Sequence, residues 1–170
     1  RPENIAYSRG LSDLSINFDR AHLEHGNGLS LRETIETIRT SNSYIAVRDP
    51  VDHPAFRDLY ESLRAEMTEL QRESGNSRAI HEPRMWLFIA SPNAITPFHF
   101  DPEHNILLQL RGTKVMNVWP AGDERFADRR EHERYHGGGH RNLPWQDDFH
   151  ADAQQVPLGP GDAVLMPVMA

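Results

Sequence analysis

Hydrophobic and polar positions along this chain change their spacing twice. Through residues 1–29 no period holds, and the stretch reads as an extended, partly docked arm. Leu31, Ile35 and Ile38 then recur at helical spacing behind Ser30-Leu31-Arg32-Glu33. In that capping box the serine and glutamate satisfy each other's free helix-end amides, which predicts a short helix to about Thr40. Residues 44–47 read as a strand. Asp52 as N-cap and Pro54 in the first turn predict a second helix, with Phe56, Leu59, Tyr60, Leu63, Met67 and Leu70 as its buried stripe and Gly75 just past its end.

From residue 85 the period becomes two. Residues 85–90, 105–110 and 114–119 are apolar runs of strand length. The last two are joined through Arg111, Gly112 and Thr113, a link so short that it predicts an antiparallel pair. Residues 121–153 break the pattern with eight acidic residues, five arginines and four histidines, as expected of a solvated helix and loop over one rim. Strands resume at 154–158 and 163–168, around the turn Gly159-Pro160-Gly161-Asp162. Helices first and strands later predict an α+β chain in which an N-terminal arm and helices, residues 1–84, pack on a β-sandwich or barrel, residues 85–170, as one structural domain.

Composition narrows the chemistry. At 170 residues with 38% hydrophobic residues and a mean hydropathy of -0.66, the chain can bury one core, and no apolar run approaches the roughly 20 residues that cross a bilayer. No secretory leader is visible, so a cytoplasmic location is expected. With no cysteine, any metal must sit on nitrogen and oxygen ligands. A net charge of -7 argues against nucleic acid as a partner. Both ends look cut: the chain starts at Arg1 and stops at Ala170 inside an apolar segment, and more chain is expected to follow.

Two patterns invite a metal. His132-Glu133-Arg134-Tyr135-His136 matches His-Glu-x-x-His of the zinc peptidases, but that motif works on a helix with an apolar face against a cleft. Here Asp-Arg-Arg-Glu precedes it and three glycines follow, which predicts a charged surface helix with its histidines in water. His99-Phe100-Asp101 differs in context. Ten histidines and twelve aspartates make about one His-x-Asp by chance, and His150-Ala151-Asp152 in the polar segment is a second. On extended backbone, however, His99 and Asp101 face one side and Phe98 and Phe100 the other, as two ligands of a 2-His-1-carboxylate triad require.

Thr96-Pro97-Phe98-His99-Phe100-Asp101, then Asn105, Arg111-Gly112-Thr113-Lys114, Trp119-Pro120, and Gly159-Pro160-Gly161-Asp162 with Pro167, resemble the cupin-like JmjC family of iron(II)- and 2-oxoglutarate-dependent oxygenases. The likeness is closest to its hydroxylase branch, typified by the asparaginyl hydroxylase that inhibits hypoxia-inducible factor. The specific matches cover residues 85–120 and 156–168.

The resemblance implies a double-stranded β-helix (cupin, jelly-roll) barrel, incomplete at the C-terminus. It also implies His99 and Asp101 as iron(II) ligands, and Thr96 and Lys114 on the distal carboxylate of 2-oxoglutarate, with Asn105 and Phe88 in the same pocket. The expected activity is hydroxylation of a protein side chain or small molecule, with 2-oxoglutarate and O2 as co-reactants and an aspartate rather than a glutamate at the second ligand tilting away from demethylation. The second ligand histidine would fall about two residues beyond Ala170, and a homodimer, where one forms, would use C-terminal helices outside this chain. A non-catalytic cupin-like binding or scaffold domain is the alternative, and a metallopeptidase through His132 and His136 ranks third.

Overall fold

A computed structural model describes residues 2–10, 14, 17–75 and 80–170. The chain forms two compact units: Arg1–Gly10 with Ala21–Ala94, and Leu11–Arg20 with Ile95–Ala170.

The first unit is built on an antiparallel sheet of β1 (Ile5–Arg9), β2 (Ser43–Arg48) and β3 (Trp86–Ala90), with β2 in the middle. The aperiodic arm thus contains a strand: Ala6 opposes Ala46 and Tyr7 opposes Ile45. Ile-Ala-Tyr-Ser-Arg carries too little alternation to announce itself, and its pairing with β2 supplies what its pattern lacks. β3 stands in this unit because it pairs along β2, with Phe88 opposite Ala46 and Trp86 opposite Arg48. The sequence pattern had grouped it with the later strands by period alone.

Helices α1 (Ala21–Glu24), α2 (Leu31–Glu36) and α3 (Pro54–Glu73) complete the unit. The capping box before α2 is formed in both directions: Ser30 Oγ accepts from Glu33 N–H and Glu33 Oε2 accepts from Ser30 N–H at 2.8 Å. The α-helix ends at Glu36, sooner than expected, and hydrogen-bonded turns carry the chain on to β2. Behind it lies a buried polar network in which Asn27 donates to Thr34 Oγ1 and Ser43 Oγ, both at 2.9 Å, and Ser43 N–H donates to Ser91 Oγ at 2.7 Å.

The start of α3 corrects one expectation. His53, not Asp52, is the N-cap, its Nδ1 accepting from Ala55 N–H at 3.2 Å with Pro54 in the first turn. A proline at the first helical position places the cap one residue before it. The apolar stripe is also less covered than its period suggested. Phe56, Tyr60, Leu63 and Met67 are half-buried, whereas Leu59 and Leu70 are exposed.

The second unit holds β4 (Asn105–Leu108), β5 (Lys114–Val118), β6 (Gln154–Leu158) and β7 (Ala163–Met166). The short link between β4 and β5 does not make them a hairpin. β4 pairs with β7 and β5 with β6, both antiparallel, so the pairs are nested. Gln109 joins them across the bend, donating to Asp162 O and accepting from Gly161 N–H, each at 2.9 Å. Gly161 has a φ of +94° and Gly112 one of +73°, conformations that a side chain would strain. The result is one long ribbon folded at residues 109–113 and 159–162. A closed barrel is not formed among the described residues.

The polar segment 121–153 is more than a rim. It contributes Phe126, Ala127, Leu143 and Phe149 to the core of this unit, where they meet Phe98 and Phe100, with Trp119, Tyr135, Trp145 and Met169 packed around them. Its helix α4 (Arg129–His136) is capped by Asp128, whose side chain accepts from Arg130 N–H at 2.8 Å. The apolar residues are isolated among charges, so composition hid them; their spacing fits neither regular period because they sit on turns and one short helix.

Candidate metal and cosubstrate site

Phe98, His99, Phe100 and Asp101 alternate as expected. Phe98 and Phe100 are buried in the aromatic core, and His99 and Asp101 turn to the other side with only 24% and 22% of their side chains exposed. Backbone pairing fixes this. Leu143 N–H donates to Phe98 O at 3.0 Å, Phe100 N–H donates to Arg141 O at 3.3 Å, and His99 forms a β-bridge with Asn142.

The imidazole of His99 is oriented through its Nδ1, 2.8 Å from Pro97 O. A carbonyl can only accept, so Nδ1 carries the proton and Nε2 keeps its lone pair. Nε2 lies 3.6 Å from Asp101 Oδ1. Burial pushes the His99 pKa down, against the pull of the Asp101 charge and the Pro97 hydrogen bond upward, which favours the neutral ring a metal needs. Two donors each about 2.1 Å from one ion, at an angle of roughly 90 to 120°, stand about 3.0 to 3.6 Å apart, so this pair fits two adjacent ligand positions. Among the described residues no third His, Asp or Glu joins them.

Asp101 is held from two sides. Asn105 Nδ2 donates to Oδ2 at 2.7 Å and Arg141 Nη1 donates to Oδ1 at 2.6 Å. Arg141 Nε also reaches Asp19 Oδ1 at 3.3 Å, its guanidinium lies 4.9 Å from the centre of the Phe18 ring, and Phe18 meets the His99 ring edge-on at 4.7 Å. Sequence reading had left Arg141, Asp19 and Phe18 aside. Nothing in the spacing around Arg141 marks it, since it stands in a polar segment beside buried Asn142 and Leu143.

Of the other expected site residues, Asn105 and Lys114 both lie on the more covered side of the folded ribbon. Asn105 opposes Met166 on β7 and Lys114 opposes Leu158 on β6. Lys114 is half-buried with neither an ion pair nor a hydrogen-bonded side-chain partner among the described residues, and burial lowers its pKa. Thr96 is exposed, one residue before buried Pro97. Phe88 belongs to the first unit, where it stacks on Trp86 with ring centroids 6.0 Å apart. The structure therefore brings His99, Asp101 and Asn105 together, adds Arg141, and leaves Thr96, Lys114 and Phe88 outside that hydrogen-bonded group.

The peptidase-like motif lies on α4, but its three side chains do not converge. His132 is half-buried with its ring 4.6 Å from that of Phe100, in contrast to the solvated position expected, while Glu133 and His136 are exposed. His132 is sheltered because Tyr135 and the underlying Phe100 give α4 a small apolar face that its charge run concealed. In the other His-x-Asp, Asp152 is ion-paired to Arg125, and the segment is a 3-10 turn, Asp147–Asp152.

Residues 28–170 match the model of the cupin-like domain family, a JmjC-type family that includes 2-oxoglutarate oxygenases and commonly binds iron(II) with 2-oxoglutarate. No curated protein and no solved structure matches the chain. No helix among the described residues is long and apolar enough to cross a membrane. With a match over most of its length, the chain belongs to the cupin-like domain family.

Proposed function

We propose that the protein is an iron(II)- and 2-oxoglutarate-dependent oxygenase of the hydroxylase type, acting on a protein side chain or a small molecule. The observation that carries this reading is the His99–Asp101 pair. The imidazole is half-buried, with burial lowering its pKa, its Nδ1 lies 2.8 Å from Pro97 O, and its Nε2 faces a carboxylate oxygen at 3.6 Å. Iron(II) with 2-oxoglutarate supplies the oxidising chemistry, by coupling O2 reduction to decarboxylation of the keto acid.

The protein's part is to hold and to orient. His99 and Asp101 offer a nitrogen and an oxygen ligand from one rigid, backbone-paired segment. Lys114, a half-buried cation on the covered side of the ribbon, suits a carboxylate of the cosubstrate. Binding one there replaces an unfavourable desolvated charge by a charge-assisted hydrogen bond. Thr96 and Asn105 are proposed as further polar contacts. The aromatic core beneath the pair, with Phe100 only 1% exposed, keeps water from its far side. Val168 and Met169 are seated beside it, Val168 N–H donating to His104 Nδ1 and Met169 N–H to Asp101 O.

The test uses the full-length protein. Without oxygen, iron(II) and 2-oxoglutarate together should give a visible charge-transfer band that His99→Ala and Asp101→Ala abolish. Absence of the band, or its survival in His99→Ala, overturns the reading.

A further inference from the structure

Asp101 Oδ1 is asked to do two things. It is the carboxylate oxygen that faces His99 Nε2, and it is also the oxygen bonded to Arg141 Nη1 at 2.6 Å. Its other oxygen is taken by Asn105. A metal ion held by His99 and Asp101 would therefore meet a guanidinium on the same oxygen, in a place where both side chains are about three-quarters covered. Two cations on one carboxylate oxygen repel, and a charge-assisted hydrogen bond also lowers the basicity of the oxygen as a ligand.

Arg141 has somewhere else to stay. Its Nε is 3.3 Å from Asp19 Oδ1, and its guanidinium lies over the face of Phe18, a favourable seat for a cation. Arg141, Asp101 and Asp19 together carry one negative charge, so the guanidinium stands between two carboxylates of which only one faces a ligand histidine. Backbone pairing of Arg141 O with Phe100 N–H anchors the residue through its main chain rather than through the guanidinium.

We propose that Arg141 is an exchangeable counter-cation that sets the metal affinity of this site: without metal it holds Asp101 Oδ1, and on metal binding it yields that oxygen and is retained by Asp19 and Phe18. The inference rests on the reading of His99 and Asp101 as metal ligands. It makes a directional claim that a purely supporting role does not. A residue that merely braced Asp101 would weaken metal binding when removed, whereas a competitor strengthens it.

The experiment is calorimetric titration of manganese(II) into the full-length protein and its variants, without cosubstrate. Arg141→Gln should bind manganese(II) about tenfold more tightly than the parent, because a neutral side chain neither repels the ion nor charges the hydrogen bond. Arg141→Lys, which keeps the charge, should stay within about threefold of the parent. Asp19→Asn should bind about threefold more weakly, since Arg141 then has Asp101 as its sole carboxylate. Asp19 is surface-accessible and outside the ligand pair, so this variant tests the exchange even if Arg141→Gln folds poorly. Should manganese(II) bind the parent in a His99-dependent way while Arg141→Gln binds equally or more weakly, or Asp19→Asn fail to weaken binding, the exchange is refuted and the metal site stands. Should the parent take up no manganese(II), or His99→Ala bind it as well as the parent, the site reading falls and the exchange falls with it.

Discussion

At Lys114 the proposed cosubstrate binding would trade against stability. It sits half-buried on the covered side of the ribbon with no acidic partner among the described residues, and burial lowers its pKa. Because its folded pKa lies below the unfolded value, the folded state holds fewer protons between the two, and stability of the free protein should rise with pH across that window. Lys114→Met should accordingly stabilise the free protein at neutral pH, by on the order of 1 kcal/mol, as urea unfolding would measure. The same change should abolish binding of 2-oxoglutarate, and in the parent that binding should weaken as pH rises through the depressed pKa and the ammonium is lost. Binding followed by calorimetry from pH 7 to 10 checks the sign. His99 illustrates a complementary point. Its neighbour Asp101 was legible from spacing, but the atom that fixes its tautomer, Pro97 O, was not, since a backbone contact leaves no mark on the side-chain pattern.

At the level of elements, the segment between β5 and β6 reverses the expectation that charge-rich sequence lies outside. Phe149 is 3% exposed and meets Phe98, Phe126 and Trp145, while its carbonyl accepts from Trp119 Nε1 at 2.8 Å. Phe149→Ala should cost about 3 to 5 kcal/mol of stability, whereas a solvated rim would lose less than about 0.5 kcal/mol, and denaturant unfolding separates the two. The strands themselves were legible: 85–90, 105–110, 114–119 and 154–158 all contain an observed strand, because alternation survives wherever one face is covered. Pairing was not legible. Nothing local to Arg111-Gly112-Thr113 shows that β4 and β5 part company, since the partners β7 and β6 lie some 40 to 60 residues away and the bend is set by their joint register. The capping box at Ser30 was readable to the atom because its four residues contain the whole interaction. The cap of α3 was misplaced by one residue because an imidazole, a rarer cap than aspartate, took the role.

For the whole molecule, the sequence offered two rival metal motifs, and the folded chain gives them different surroundings. His99 and Asp101 face one another beside a core, whereas His132 is turned onto Phe100, away from exposed Glu133 and His136. In the full-length protein, manganese(II) should titrate to one equivalent, and replacing both His132 and His136 by alanine should change neither stoichiometry nor affinity beyond about twofold; loss of an equivalent would restore the peptidase reading. The nested ribbon has a further consequence, for the order in which the second unit assembles. Joining β5 to β6 closes a loop of about 35 residues and carries most of the entropic penalty. Once that is done, Gln109 and Gly161 are already neighbours, and β4 and β7 can zip together without closing any new loop. Folding should therefore run from the inside of the ribbon outward, with β5–β6 contacts formed in the transition state and β4–β7 contacts, which run up to Asn105 beside Asp101, arriving last.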